Sequence, residues 1–300
     1  MKILVQPEDG IAPLVAEIQR ARDTIETTVF RFDLEQVEKA LAAAVARGVK
    51  VRALVAHTNR GGEKLLRKLE LRLLEAGVTL ARSDDDLIRY HGKVLIVDRA
   101  TLHLMAFNYT RLDVRSRSFA VSTRNRQVVQ EALKLFESDM ARQPYVPGVP
   151  DLVVSPENSR QRLSEFLQKA RRQLLIYDPK VADPRMIRLL EERARKGVEI
   201  RVIGRMGTRG KALSVAKPPG RLHARVIVRD GRRAFVGSQS LRKAELDERR
   251  EVGIVIRDKA VIKRLAEVFE DDWLAASQKE GVTTRESAGR VEVAAGGPGA

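Results

Sequence analysis

The chain has 300 residues, 43% of them hydrophobic, with no cysteine and a net charge of +16 from 56 Lys plus Arg against 40 Asp plus Glu. That length allows about two domains of ~100–200 residues each. The missing cysteines exclude disulfides and thiolate metal sites. The charge points to polyanionic partners, namely nucleic acid, an anionic lipid surface or phosphorylated substrates, with general solubility as the plain alternative.

The N-terminus Met1–Asp9 lacks the apolar stretch of a signal peptide, and no run of ~18 apolar residues reads as a membrane span. A cytoplasmic location is the expectation. Residues 15–25 read as a helix feeding a strand at Glu26–Phe32. Leu41–Val55 then gives the end of a helix, Gly48, and an apolar β-branched strand. Gly48 stands where a helix C-terminus needs a left-handed residue. His57 follows that strand and reads as a solvated loop residue. A further helix is predicted over about Glu63–Ala76, and then comes the acidic run Asp84-Asp85-Asp86.

The first distinctive pattern is His91-Gly-Lys93-Val-Leu-Ile-Val-Asp98. On a strand, residues i and i+2 share a face, so His91 and Lys93 are expected to point the same way. His103 lies in the next apparent strand and reads as structural. Leu135–Asp139 ends a helix. Gln143–Pro150 carries three prolines and a glycine, the composition of a connector.

The elements then recur. Residues 163–173 read as a helix before a strand at Leu174–Tyr177. Leu190–Gly204 repeats Leu41–Val55, with Gly197 at the place of Gly48. Val268–Asp272 repeats Leu135–Asp139. Between Arg205 and Arg221 a Gly-Pro-basic loop replaces the helix of the first half. It carries five Lys or Arg and no acid, with Gly207 and Gly210 allowing close backbone approach to an anion. The second pattern follows at once: His223-Ala-Arg225-Val-Ile-Val-Arg-Asp230. Each half therefore alternates strands and helices, which predicts an α/β protein with mixed sheets. The division is 1–143, a linker 144–157, a second half 158–276, and a tail 277–300 expected to be disordered.

Two equivalent His-cation units suggest a two-histidine phosphodiester site. One imidazole attacks phosphorus, the other gives a proton to the leaving oxygen, and the cation holds a phosphoryl oxygen. Asp98 and Asp230 end their strands and read as structural hydrogen-bonding acids.

After His223 come Gly237, Ser238, Ser240 and Glu251. The same offsets from His91 give Met105, Ala106, Asn108 and Phe119. The pattern resembles the phospholipase D superfamily, with its His-x-Lys-x4-Asp motif, Gly-Ser-x-Asn and later Glu, from about Val15 to Trp273. The resemblance implies two α-β-α halves packed around one shared cleft in a single chain, with no cofactor and no metal. It implies His91 and His223 as the catalytic pair, working through a phosphohistidine. Lys93, Arg225, Asn108, Ser238 and Ser240 would bind phosphate, and Glu251 would orient an imidazole. The sequence departs from the family at Arg225 for Lys, Ser240 for Asn, Met105-Ala106 for Gly-Ser, and Phe119 for Glu. The substrate class stays open between phospholipid, with peripheral attachment to an anionic membrane surface, and nucleic acid. A worn, non-catalytic binding module is the third alternative. The oligomeric state is not fixed by the sequence; a monomer is the expectation.

Overall fold

The computed structural model describes residues 1–58, 63–207 and 213–288, with side chains described to residue 278. The first half runs β1 (Lys2–Gln6), α1 (Ala12–Arg20), β2 (Thr24–Val29), α2 (Glu35–Ala46), β3 (Lys50–Val55), α3 (Glu63–Glu75) and β4 (Thr79–Arg82). It continues with β5 (Arg89–Tyr90), β6 (Val94–Val97), β7 (Thr101–Met105), α4 (Arg111–Val114), β8 (Ser118–Thr123) and α5 (Arg126–Ala141). The second half runs β9 (Leu152–Ser155), α6 (Ser159–Gln168), β10 (Gln173–Val181), α7 (Pro184–Arg195), β11 (Glu199–Met206), β12 (Ser214–Ala216) and β13 (Val226–Arg229). It ends with β14 (Arg233–Gly237), α8 (Lys243–Asp247), β15 (Arg249–Ile256) and α9 (Lys259–Ala288).

Each half builds one mixed sheet, and the two strand orders match. The first is β1-β8-β7-β6-β2-β3-β4. The second is β9-β15-β14-β13-β10-β11-β12 when β9 is placed on its β15 partner. Strand β5 leaves the first half and pairs with the start of β15, so the sheets are stitched together.

Local chemistry explains the elements. Asn125 caps α5 by accepting from the N–H groups of Gln127 and Val128, and Asp183 caps α7 from Arg185 and Met186, with Pro184 at the first turn. Gly48 and Gly197 adopt φ of +87° and +83°, the left-handed conformation that ends α2 and α7 and turns the chain into β3 and β11. The buried faces form three cores. Leu14, Leu41 and Leu69 cover one face of the first sheet, and Leu163 and Leu190 cover one face of the second. Between the sheets, Ile96, Leu104 and Val121 meet Val226, Val236 and Ile254, with α5 and α9 closing the sides. Each fully buried Leu contributes about 1.5–3 kcal/mol, so the inter-sheet core holds the halves in one orientation.

Three details differ from the sequence reading. Residues 152–155, inside the stretch read as a linker, form β9. Leu152-Val-Val-Ser-Pro156 occupies the place of Ile3-Leu-Val-Gln-Pro7, so the second half begins earlier than residue 158. The loop before the second motif contains β12, which pairs with β11 as β4 pairs with β3. Helix α9 continues to Ala288, into the expected tail; residues 289–300 lie outside the described residues, as does Gly210.

Candidate active site

The two histidine motifs enter β6 and β13 at the ends of these strands that adjoin the opposite half. The backbone N–H of His91 donates to Arg250 O at 2.7 Å, and that of His223 donates to Arg117 O at 3.0 Å. Each histidine is thus pinned by the backbone of the other half, His91 by β15 and His223 by the residue just before β8. Behind it the same exchange recurs in the ion pairs: Arg117 holds Asp272 and Glu8, and Arg250 holds Asp139 and Glu157.

Each imidazole also receives a carboxylate from the opposite half. His91 Nδ1 lies 2.8 Å and 3.0 Å from the two oxygens of Glu251. His223 Nδ1 lies 3.0 Å from Asp113 Oδ2, off the ideal line for a hydrogen bond. Sequence reasoning missed Asp113. Counting from the histidines had placed Phe119 opposite Glu251, but the strand pairing does not. Ala106 N donates to Phe119 O, and Ser238 N donates to Val252 O, so Phe119 corresponds to Val252 and Ser118 to Glu251. Ser118 is too short to reach an imidazole side chain and bonds the carbonyl of His223 instead. Phe119 turns into the inter-sheet core against Tyr177. Asp113, on the short helix after Asn108, fills the missing place. It accepts from Asn108 N (3.0 Å), Asn108 Nδ2 (2.6 Å) and Arg221 Nη1 (2.8 Å).

The cations line the same cleft. Lys93 is 2% exposed, and its Nζ donates to His91 O at 2.5 Å. Arg225 Nε donates to Ser240 Oγ at 3.3 Å, while its buried Nη1 has no hydrogen-bond partner among the described residues. Arg249, also unforeseen, bonds Glu245 and lies 4.0 Å from Glu251. Phe30 packs edge-on against His91 with ring centres 4.6 Å apart and carries Lys93 Nζ over its face at 5.6 Å.

Electrostatics favour neutral imidazoles. Burial, and then Lys93, Arg225, His223 and Arg249, push His91 well below its ordinary value. Burial lowers His223 to about 4, against the opposing pull of Asp113. Burial brings Lys93 down to about 7, with Glu251 holding its charge and Arg225 opposing it. Burial raises Glu251, partly offset by Lys93, Ser238 and Arg225. Burial also works to raise Asp113, yet His223 and Asn108 hold it below the usual carboxylate range.

The remaining expected residues divide. Ser238 is buried beside Val252, with which its hydroxyl exchanges hydrogen bonds. Asn108 spends its Nδ2 on Asp113, leaving Oδ1 without a partner among the described residues. Asp98 and Asp230 lie at the far ends of their strands. Asp98 accepts the N–H groups of Arg22, Asp23 and Thr24, and Asp230 those of Arg171, Arg172 and Gln173. His57 sits with Ser83, Asp84 and Ile88 at a separate surface hollow. His103 lies on the outer face of the first sheet. Among the described residues no group of three or more His, Asp or Glu is arranged to hold a metal.

Residues 14–140 and 205–273 match the family model described as a cardiolipin synthase, phospholipase D-like domain. The chain belongs to the phospholipase D-like family. No curated protein sequence matches it significantly. Solved structures share the fold of this phospholipase D-like chain. A polyphosphate kinase from Porphyromonas gingivalis aligns over 90% of the chain with a TM-score of 0.74 at 19% identity, and the chain spans 49% of that protein. A phosphatidylserine synthase from Haemophilus influenzae aligns over 91% with a TM-score of 0.66 at 10% identity, covering 85% of that protein. Nuc, a phospholipase D family member from Salmonella typhimurium, aligns with 49% of the chain and 99% of its own length, at 23% identity and a TM-score of 0.43.

Proposed function

We propose that this phospholipase D-like chain cleaves or transfers phosphodiesters through a phosphohistidine, with phospholipid as its substrate class. The observation that carries the reading is the crossed pairing His91–Glu251 and His223–Asp113, each imidazole held at Nδ1 by a carboxylate of the other half. With Nδ1 occupied, Nε2 is the atom left to react.

We assign the roles from the partners of each histidine. His91, kept neutral by burial and the surrounding cations, attacks phosphorus. His223, lowered by burial but with its protonated form favoured by the carboxylate of Asp113, delivers the proton to the leaving oxygen as the O–P bond breaks. Neutral His223 then takes a proton from water or an acceptor alcohol, whose oxygen attacks phosphorus and breaks the N–P bond. Lys93 and the unpaired Nη1 of Arg225 hold the phosphoryl oxygens as charge builds on them, joined by Ser240. Asn108 acts chiefly by fixing Asp113.

Phospholipid is supported by the family description and by the rim of the site. Leu112 is 57% exposed beside Asp113, between the exposed cations Arg111 and Arg115. Apolar side chains next to cations suit an anionic lipid surface. Among the described residues no helix is long and apolar enough to cross a membrane, so attachment would be peripheral.

A nuclease is the second reading. It is favoured by a groove of about 890 Å³ before the second motif, lined by Arg205, Lys217 and Arg221. The test is a substrate panel of phosphatidylcholine, cardiolipin, single- and double-stranded DNA, and RNA, each with wild type and His91→Ala, with and without EDTA. The proposal expects phospholipid turnover that persists in EDTA and disappears in His91→Ala. Turnover of nucleic acid alone overturns the lipid assignment, and none on any substrate leaves a binding module.

A further inference from the structure

His103 takes no part in the catalytic cleft, and the fold does not require a polar residue where it stands. Its register partner across β7 and β8 is Ser122; the corresponding pair across β14 and β15 is Phe235 with Val255. The second half therefore fills this place with two apolar side chains, and Phe235 is fully buried there. The first half buries an imidazole instead, 3% exposed, with Nδ1 2.7 Å from Ser122 Oγ and Nε2 without a partner among the described residues. Leaving a buried polar atom unpaired costs about 1–3 kcal/mol.

The pair forms part of the wall of a groove of about 460 Å³ between α1 and the strands β1, β7 and β8. The groove lies at the end of the sheet opposite the catalytic cleft. There Lys2 pairs with Ser122 and Thr101 with Val97, whereas His91 and Lys93 enter β6 at its other end. Leu4 and Leu14 supply an apolar side, and Lys2 and Arg124 stand at the rim. Glu17, the acid in the lining, is paired with Arg20 at 3.0 Å.

We propose that this groove binds a small organic anion, its phosphate or carboxylate head held by Lys2, Arg124 and the His103–Ser122 pair and its apolar tail lying along Leu4 and Leu14. The site is independent of the catalytic assignment, because none of these residues belongs to the cleft.

The test is calorimetric titration of the full chain with octyl phosphate, octanoate and inorganic phosphate. At least one of the two amphiphiles should bind about tenfold or more tighter than inorganic phosphate, and the stronger of the two names the head group. Binding should survive His223→Ala, which separates this site from the cleft. It should fall about tenfold or more in Arg124→Ala, an exposed change that leaves the core untouched, and in the double variant His103→Phe, Ser122→Val, which installs the pair of the second half. Turnover of bis-p-nitrophenyl phosphate should be unchanged in both; if the double variant does not fold, Arg124→Ala alone decides. The proposal is overturned by no binding of either amphiphile, by inorganic phosphate binding as tightly, or by undiminished binding in Arg124→Ala.

Discussion

Replacing Asp113 by Asn keeps the side chain's shape and removes its charge. The carboxylate accepts from Asn108 and Arg221 and touches His223, so the amide loses the counter-charge of an imidazolium surrounded by Arg225 and Lys93. If His223 delivers the proton to the leaving oxygen, the protonated form becomes harder to reach and the tautomer is no longer fixed. General acid catalysis contributes about 10²–10⁴ in rate, which at ~1.36 kcal/mol per tenfold is about 2.7–5.4 kcal/mol of barrier. The loss should appear fully for a substrate with an alkyl leaving group, which must be protonated. It should be much smaller, within about tenfold, in the first step for a p-nitrophenyl ester, whose phenolate leaves unaided. Single-turnover kinetics with both substrates separate the two. Equal losses for both, or a loss below about threefold for the alkyl ester, would refute the acid role of His223 and the support role of Asp113.

Further outcomes follow from the geometry. Asp98→Ala and Asp230→Ala each strip three backbone N–H groups of a shared acceptor, so each should lower unfolding stability by about 2–4 kcal/mol in urea melts while bis-p-nitrophenyl phosphate turnover persists. His103 and His223 are held near 4 in the fold against ~6.5 unfolded, so the unfolded chain binds more protons between these values. Stability should therefore rise with pH from about 4 to 6.5, by up to ~1.4 kcal/mol per pH unit for each histidine, and gain nothing further from them above that range. Asp139, raised to about 7 chiefly by burial, works with the opposite sign, as do the buried Asp178 and Glu251, so the histidine contribution is read as the difference in pH slope between wild type and His103→Phe. An unchanged slope in His103→Phe would contradict a buried neutral His103. Arg225→Lys should retain activity within about tenfold, because either cation can meet a phosphoryl oxygen, whereas Arg225→Met should lose about 10² or more in kcat.

Much of this site could be read from the chain. The motif repeats singled out both histidines, Lys93 and Arg225, because a strand offers a fixed spacing and each motif adjoins a strand, and the family resemblance singled out Glu251. What escaped was whatever depended on the other half. The stretch between the paired residues of β14 and β15 is one residue longer than that between β7 and β8, with Gly237 opposite Gly253 but Met105 opposite Ala120. Counting along the sequence therefore set Phe119 against Glu251, whereas pairing sets Ser118 there. Asp113 had no counterpart in the family pattern, and only the approach of His223 from the opposite half reveals it. Strand β9 was hidden by the prolines that flank it, although its apolar run and following Pro156 repeat β1 and Pro7.

The central claim is that His91 becomes phosphorylated and His223 completes the cycle. Its most direct test is rapid quenching of His223→Ala with bis-p-nitrophenyl phosphate, followed by peptide mass spectrometry under alkaline conditions that preserve phosphohistidine. The account predicts a burst of about one nitrophenolate per chain with the nitrophenyl phosphoryl group on His91, and no burst in His91→Ala, since only one covalent site exists per cleft. A label on His223 in His91→Ala, with none on His91 in His223→Ala, would contradict it.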